Sequence, residues 1–202
     1  MRLFQYQKKV EPVVSYEIRE DYRVFSMAVM QMLGSAGEVF AGCKSNVGKV
    51  AGINSNGKRS IQEGLGKILF NVAQVLSVRK IDIRIPLGED VDSSKDIILD
   101  GTNKYDVYID RAASLLCSCS TLARISYEWE YNSVIPVTQE IIEACAYVLH
   151  YVEELGCLVD QFDSMSTWDW IIEESLEYLS ERYPSLIPKE SEGSEEESDT
   201  EE

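Results

Sequence analysis

Apolar residues recur at helical spacing along most of this chain, and polar breaks divide them into segments. From Asp21 to Cys43 the inward positions are Val24, Phe25, Ala28, Met32, Ala36 and Val39, which predicts one long amphipathic helix. Residues 44–58 (KSNVGKVAGINSNGK) are rich in Gly, Asn and Ser and predict a loop. Ser60 then reads as a helix N-cap, with Glu63 as its capping-box partner. The helix that follows aligns Ile61, Leu65, Ile68, Leu69, Val72, Val75 and Leu76. Lys80 to Pro86 (KIDIRIP) alternates apolar and polar residues, predicting at most a short strand, and residues 87–103 form a polar connector. Residues 1–20 read as a lead-in, because Pro12 and the β-branched Val13–Val14 disfavour one continuous helix.

The second half repeats the alternation. Asp106 to Tyr131 carries Leu115, Leu116, Cys119, Leu122, Ala123 and Ile125 on one face. A short turn with Pro136 follows. Thr138 reads as the cap of a helix bearing Ile141, Ile142, Cys145, Val148, Leu149, Val152 and Leu155. Sliding the sequence by 77 residues lays Gln62–Glu63 on Gln139–Glu140, Leu65 on Ile142 and Val75 on Val152. This is a repeat of pattern more than of sequence, and two unrelated amphipathic helices would align about as well. A last helix, Ser166 to Arg182, carries Trp168, Ile171, Leu176 and Leu179. The expected fold is therefore all-α: an antiparallel bundle of two similar helix pairs plus a C-terminal packing helix. The expected division is a helix pair with its lead-in over 1–86, a connector over 87–103, a second pair and packing helix over 104–184, and a disordered acidic tail over 185–202.

Charge and composition limit the function classes. The formal charge is −16, of which residues 189–202 contribute −7, leaving −9 on the rest. Such a surface argues against direct binding of a nucleic-acid backbone and suits a basic partner. No apolar run predicts a membrane span, and the N-terminus lacks the apolar core of a signal peptide. The five cysteines contain no CxxC pair, three of them sit in apolar helical patterns, and His150 is the only histidine. Buried reduced thiols in a cytoplasmic setting are the expectation, and a zinc site is not. Gly52 to Ser60 nearly spells a phosphate-binding loop, but Arg59 stands where Ser or Thr should reach magnesium, and no buried strand precedes it. Trp168 and Trp170 are two residues apart, so one is expected in the core and the other in a partner interface. Ser194 and Ser198 precede acids in a pattern that acidophilic kinases accept, a match common by chance in acidic tails.

The segment Gln31–Ile83 carries the most specific signal. It reads QMLGSAGEVFAGCKS, then the Gly/Asn-rich loop, then IQEGLGKILFNVAQVLSVRKIDI. This layout resembles the MazG-like all-α nucleoside triphosphate pyrophosphatases, which place a G-E-x-G-E-V type sequence on one helix and E-E-L-G-D-V-L on the next. Gly34, Gly37, Glu38 and Val39 match the first motif, and Lys44 falls where the family carries a lysine. Glu63, Leu65, Gly66, Ile68 and Leu69 match the frame of the second, and Phe4 to Lys8 is similar to the family's Y-Q entry segment. The resemblance covers roughly the first 85 residues.

In that family four carboxylates, ExxE and ExxD, hold the magnesium that clamps the phosphates and activates water. The resemblance puts Ser35, Glu38, Gly64 and Lys67 at those positions, so one acid of four remains. The expectation is a catalytically impaired protein in which Lys67 pairs with Glu38 in place of metal. Two other readings use the same residues. Lys67 and Lys44 would grip a phosphate without hydrolysis, or Glu38, Glu63 and Asp82 would form a remodelled magnesium site, with Glu38 as the catalytic acid. The second half offers Glu128, Glu130, Glu140 and Glu143; Glu140 and Glu143 have ExxD-like spacing, but the counterpart helix carries Ser118 and Thr121 where the ExxE acids would fall, so no second metal site is expected. Three functions follow as expectations: a binding protein for a protein partner or nucleotide, an active pyrophosphohydrolase, or an acidic decoy of a nucleic-acid-binding protein. A pseudo-dimeric monomer or a homodimer would suit the internal repeat.

Overall fold

The computed structural model of the chain describes residues 1–17, 21–44, 55–88, 104–159 and 167–187. Residues 45–54 of the loop predicted over 44–58, residues 89–103 of the connector and residues 188 onward of the tail lie outside the described residues; Ser55 to Lys58 of that loop are helical instead. The described residues form seven helices: α1 Leu3–Glu17, α2 Asp21–Lys44, α3 Ser55–Val78, α4 Arg84–Leu87, α5 Lys104–Asn132, α6 Thr138–Val159 and α7 Thr167–Arg182. The fold is all-α. Helix α2 packs on α3 and α5, α6 packs on α5 and α3, and these four helices close a bundle. Helices α7 and α1 cover the outer side of α3. A single apolar cluster runs through both halves of the chain, from Tyr6 and Phe25 to Leu149 and Ile171.

Helix α3 is the central element. From Gly64 to Leu76 every residue except Lys67 is buried, because α1, α2, α6 and α7 all pack on it. Helix α6 is buried along one side, and its other side exposes Glu143, Tyr147 and His150. The two helices aligned by the 77-residue shift therefore differ in setting: Leu65 is fully buried, whereas Ile142 is only partly so. Residues Tyr22–Lys44 are long and apolar enough by length and composition to cross a membrane, contrary to the sequence expectation. Much of that apolar content serves the core, since Phe25, Val29, Met32, Ala36 and Val39 are fully buried.

Three local segments depart from their sequence patterns. The first is the irregular lead-in, because α1 is continuous with Pro12 inside it. A proline there forfeits one helical hydrogen bond and costs about 3 kcal/mol. Burial of Leu3, Tyr6, Val10, Val13 and Val14 outweighs that, at roughly 1.5–3 kcal/mol for each large apolar side chain. Tyr6 is further tied to Ser175 of α7 by a buried hydroxyl–hydroxyl hydrogen bond of 2.6 Å.

The second is residues 80–86, where the sequence allowed at most a short strand and none forms among the described residues. Ile81 and Ile83 do point inward, but no described strand lies beside them to complete a ladder. The Ile81 amide instead donates to the Leu76 carbonyl at 2.8 Å, and the Ile83 amide donates to Gln7 Oε1 at 2.9 Å. Gln7 Nε2 donates back to the Ile81 carbonyl at 2.9 Å, so one α1 side chain does the work of a neighbouring strand. The third is the partner-facing tryptophan. Trp168 and Trp170 are both 8% exposed. Trp168 Nε1 donates to Glu153 of α6, and the ring of Trp170 lies against Gly156. The N-terminal amine of Met1 pairs with Asp169 at 2.6 Å. The packed region also extends past residue 184, since Ile187 is buried.

Candidate functional site

The segment that carries the family-like motifs becomes the crossing of α2 and α3. Small residues line it. A Cβ on Gly64 would sit 2.5 Å from Val39 Cγ2 and 3.3 Å from the Ser35 carbonyl oxygen, and one on Gly42 would sit 3.2 Å from Ile61 Cγ1. The two backbones approach this closely only because those side chains are missing. Ser35 is itself 7% exposed, closed inside the contact. The space in which an acid at position 64 would project is filled by Val39.

Glu38 and Lys67 lie on the rim of this crossing. Lys67 Nζ donates to Glu38 Oε2 at 3.3 Å, the ion pair expected from the sequence. With the Lys67 side chain 27% and the Glu38 side chain 59% exposed, solvent screens the pair, and such pairs contribute about 0–1 kcal/mol. The Lys67 ammonium also lies 5.8 Å from the centre of the Tyr178 ring of α7. Asn71, one turn further on, is buried and donates to the Lys67 carbonyl at 2.8 Å.

Glu63 does not act as expected. Helix α3 begins at Ser55, so Ser60 is an interior residue and not a cap. The Glu63 carboxylate accepts from Arg59 Nε at 2.6 Å, one turn earlier. Glu174 of α7 stands near the same rim. Its pKa is raised, mainly by burial and then by the negative charges of Glu177 and Glu63. The rim is therefore a charged strip, built by α2, α3 and α7 together. Sequence spacing gave no sign of the α7 contribution, because only the tertiary fold brings Glu174 and Tyr178 beside α3.

The remaining candidates do not converge. Asp82 follows the opposite end of α3; fifteen residues separate Glu63 from Val78, about 22 Å along the axis. The Arg84 guanidinium bonds to Asp82 at 2.6 Å and is the main cause of its lowered pKa. Lys44 is exposed at the end of α2 and lies on a different face from Glu38, six residues being about 240° of rotation. In the second half, Glu128 accepts from Arg124 at 2.7 Å, Glu130 from Ser26 at 3.2 Å and Glu143 from Gln139 at 2.9 Å, while Glu140 is exposed.

A magnesium ion needs several oxygen ligands in near-octahedral array. Here the four family positions offer one carboxylate, one enclosed hydroxyl, one position with no side chain and one ammonium already held by that carboxylate. The donor set does not fit the ion. Among the described residues, no group of three or more His, Cys, Asp or Glu side chains is placed to hold a metal. What the arrangement can do is hold α2, α3 and α7 together and present a charged surface. No family model, curated protein or solved structure matches the chain.

Proposed function

We propose that this chain is a degenerate MazG-like protein that works by binding and not by hydrolysing nucleotides. The observation that carries the reading is the closed contact at Gly64, where Val39 occupies the room a metal-binding acid would need. Hydrolysis of a triphosphate requires compensation of charge developing on phosphate oxygens, and one carboxylate tied to a lysine supplies no metal cradle for it. The test is release of pyrophosphate from a panel of NTPs and dNTPs with magnesium or manganese. No turnover is expected. Metal-dependent turnover that disappears in Glu38→Gln would overturn the proposal.

A protein partner is favoured over a nucleotide by the tip of the α5–α6 hairpin. Tyr127 and Tyr131 stack there, with ring centres 4.8 Å apart. Val134, Ile135 and Val137 are 53%, 70% and 61% exposed. The turn that carries them is anchored: Pro136 is buried, and its carbonyl accepts from Arg79 Nη2 at 3.4 Å. Exposed apolar side chains on a fixed backbone lose little entropy on docking. The nearby acids Glu128, Glu130, Glu140 and Glu143 suit a partner whose apolar socket is bordered by Lys or Arg. Calorimetry with nucleotides should give no heat of binding. A pull-down should survive deletion of residues 189–202 and fail in Ile135→Asp; tight nucleotide binding would reverse the preference.

A further inference from the structure

Charge is unevenly divided over this acidic chain. Residues 1–9 and 79–88 hold six Lys or Arg against one acid, Asp82, a net of +5 where the whole chain carries −16. Gln7 clamps the two segments together through the Ile81 carbonyl and the Ile83 amide. Lys8 and Arg84 therefore meet on one ring. The Lys8 ammonium lies 4.4 Å and the Arg84 guanidinium carbon 4.2 Å from the centre of Phe4. Asp82 takes up Arg84, and Arg79 turns to the Pro136 carbonyl and the Trp129 ring. Lys8 and Lys80 are left, both exposed, and no described carboxylate forms an ion pair with either. Lys80 also holds a φ of +55°, just past the end of α3, where glycine or asparagine is favoured. A lysine there does nothing for the backbone.

We propose that this basic patch holds the acidic segment 189–202 of the same chain. Charge is the first reason for that occupant: the segment carries −7. Elsewhere Arg59, Lys67 and Arg124 already have carboxylate partners in Glu63, Glu38 and Glu128. Position is the second. Met1 pairs with Asp169 and Tyr6 with Ser175, so α7, which leads into the segment, lies beside α1. Residues 188–202 can span up to about 50 Å, ample for a bundle of roughly 16 Å radius of gyration. A tether of this length gives an effective concentration on the order of millimolar, so contacts too weak to join separate molecules suffice. The attraction is ionic and therefore screened, as the Debye length falls from about 10 Å at 0.1 M salt to about 3 Å at 1 M.

Amide resonances of the isotope-labelled full chain test this. The variant replaces the eight acids of 189–202 by Gln or Asn. It should shift the resonances of Phe4 to Lys8 and Lys80 to Ile85 and leave those of the α5–α6 hairpin tip in place. In about 1 M salt the native and neutralised chains should coincide at the patch. In a chain carrying Lys8→Glu and Lys80→Glu, neutralising the segment should move nothing there. Both positions are exposed, and unchanged circular dichroism and urea midpoints will show that this variant is folded. The shift should be the same from about 20 to about 500 µM protein, as an intramolecular contact requires. Patch resonances that stay in place on neutralisation, or shifts that centre on Lys44 instead, overturn the proposal. So does a difference that survives charge reversal or about 1 M salt. A shift that grows with concentration also overturns it, since the segment would then come from a second copy.

Discussion

Replacing Gly64 by alanine adds one methyl group to a helix that should otherwise welcome it. Alanine is better than glycine in a helix interior by about 1 kcal/mol. At position 64, however, the new Cβ would lie 2.5 Å from Val39 Cγ2, where carbon–carbon contacts prefer about 3.5–4.0 Å. Val39 is fully buried and β-branched, so it cannot swing aside within the helix. Relief must come from parting α2 and α3, and overpacking of this kind costs about 1–3 kcal/mol. Gly37→Ala is the matched control, since its Cβ would meet nothing within 4 Å. It should stabilise the protein by about 0.5–1 kcal/mol. Because the propensity gain is common to both, the difference between the two variants isolates the contact and should be about 1–3 kcal/mol. Urea denaturation followed by helical circular dichroism measures it directly. Equal stabilisation by both substitutions would show that the crossing has room, and the argument against a metal cradle would fail with it. Gly64→Asp should be worse than Gly64→Ala, because it adds a carboxylate beside the Ser35 carbonyl oxygen, and it should restore no pyrophosphate release.

Other expectations follow from burial and charge. Leu149 is fully buried, so Leu149→Ala should cost about 2–5 kcal/mol and Leu149→Asp should abolish the cooperative unfolding transition. Glu174 has a folded-state pKa above its unfolded value, so its ionised form destabilises the fold at neutral pH, and this cost is relieved as pH falls through the raised pKa. Glu174→Gln should therefore raise the urea midpoint at pH 7, and the gain should vanish in acid; a lowered midpoint at pH 7 would contradict the assignment. Burial pushes the Cys43 and Cys119 thiols up to about 12 and raises that of Cys145 as well, while Cys117 is exposed. A thiol reagent at pH 8 should label Cys117 first and reach those three only in urea; fast labelling of more than Cys117 and the half-buried Cys157 in the native state would refute this.

The periodicity of apolar residues was enough to place α2, α3, α5, α6 and α7, because each buries its apolar residues on a face set by helical spacing. The sequence also pointed to the Glu38–Lys67 pair, since opposite charges on two adjoining helix motifs have few other partners. What it misread were balances between local preference and tertiary burial. Pro12 and the valines after it argue locally against a helix, yet Tyr6, Val10 and Val13 gain more from the core than the proline loses. KIDIRIP has the alternation of a strand, but alternation makes a strand only where another strand lies beside it, and Gln7 satisfies those backbone groups instead. Two tryptophans only two residues apart both became core because both reach α6, Trp168 at Glu153 and Trp170 at Gly156. The same holds for the site. From the sequence, Gly64 is merely a missing acid. The approach of α2 to within contact of it decides that no acid would fit, and that distance is a property of the packed helices and not of either helix alone.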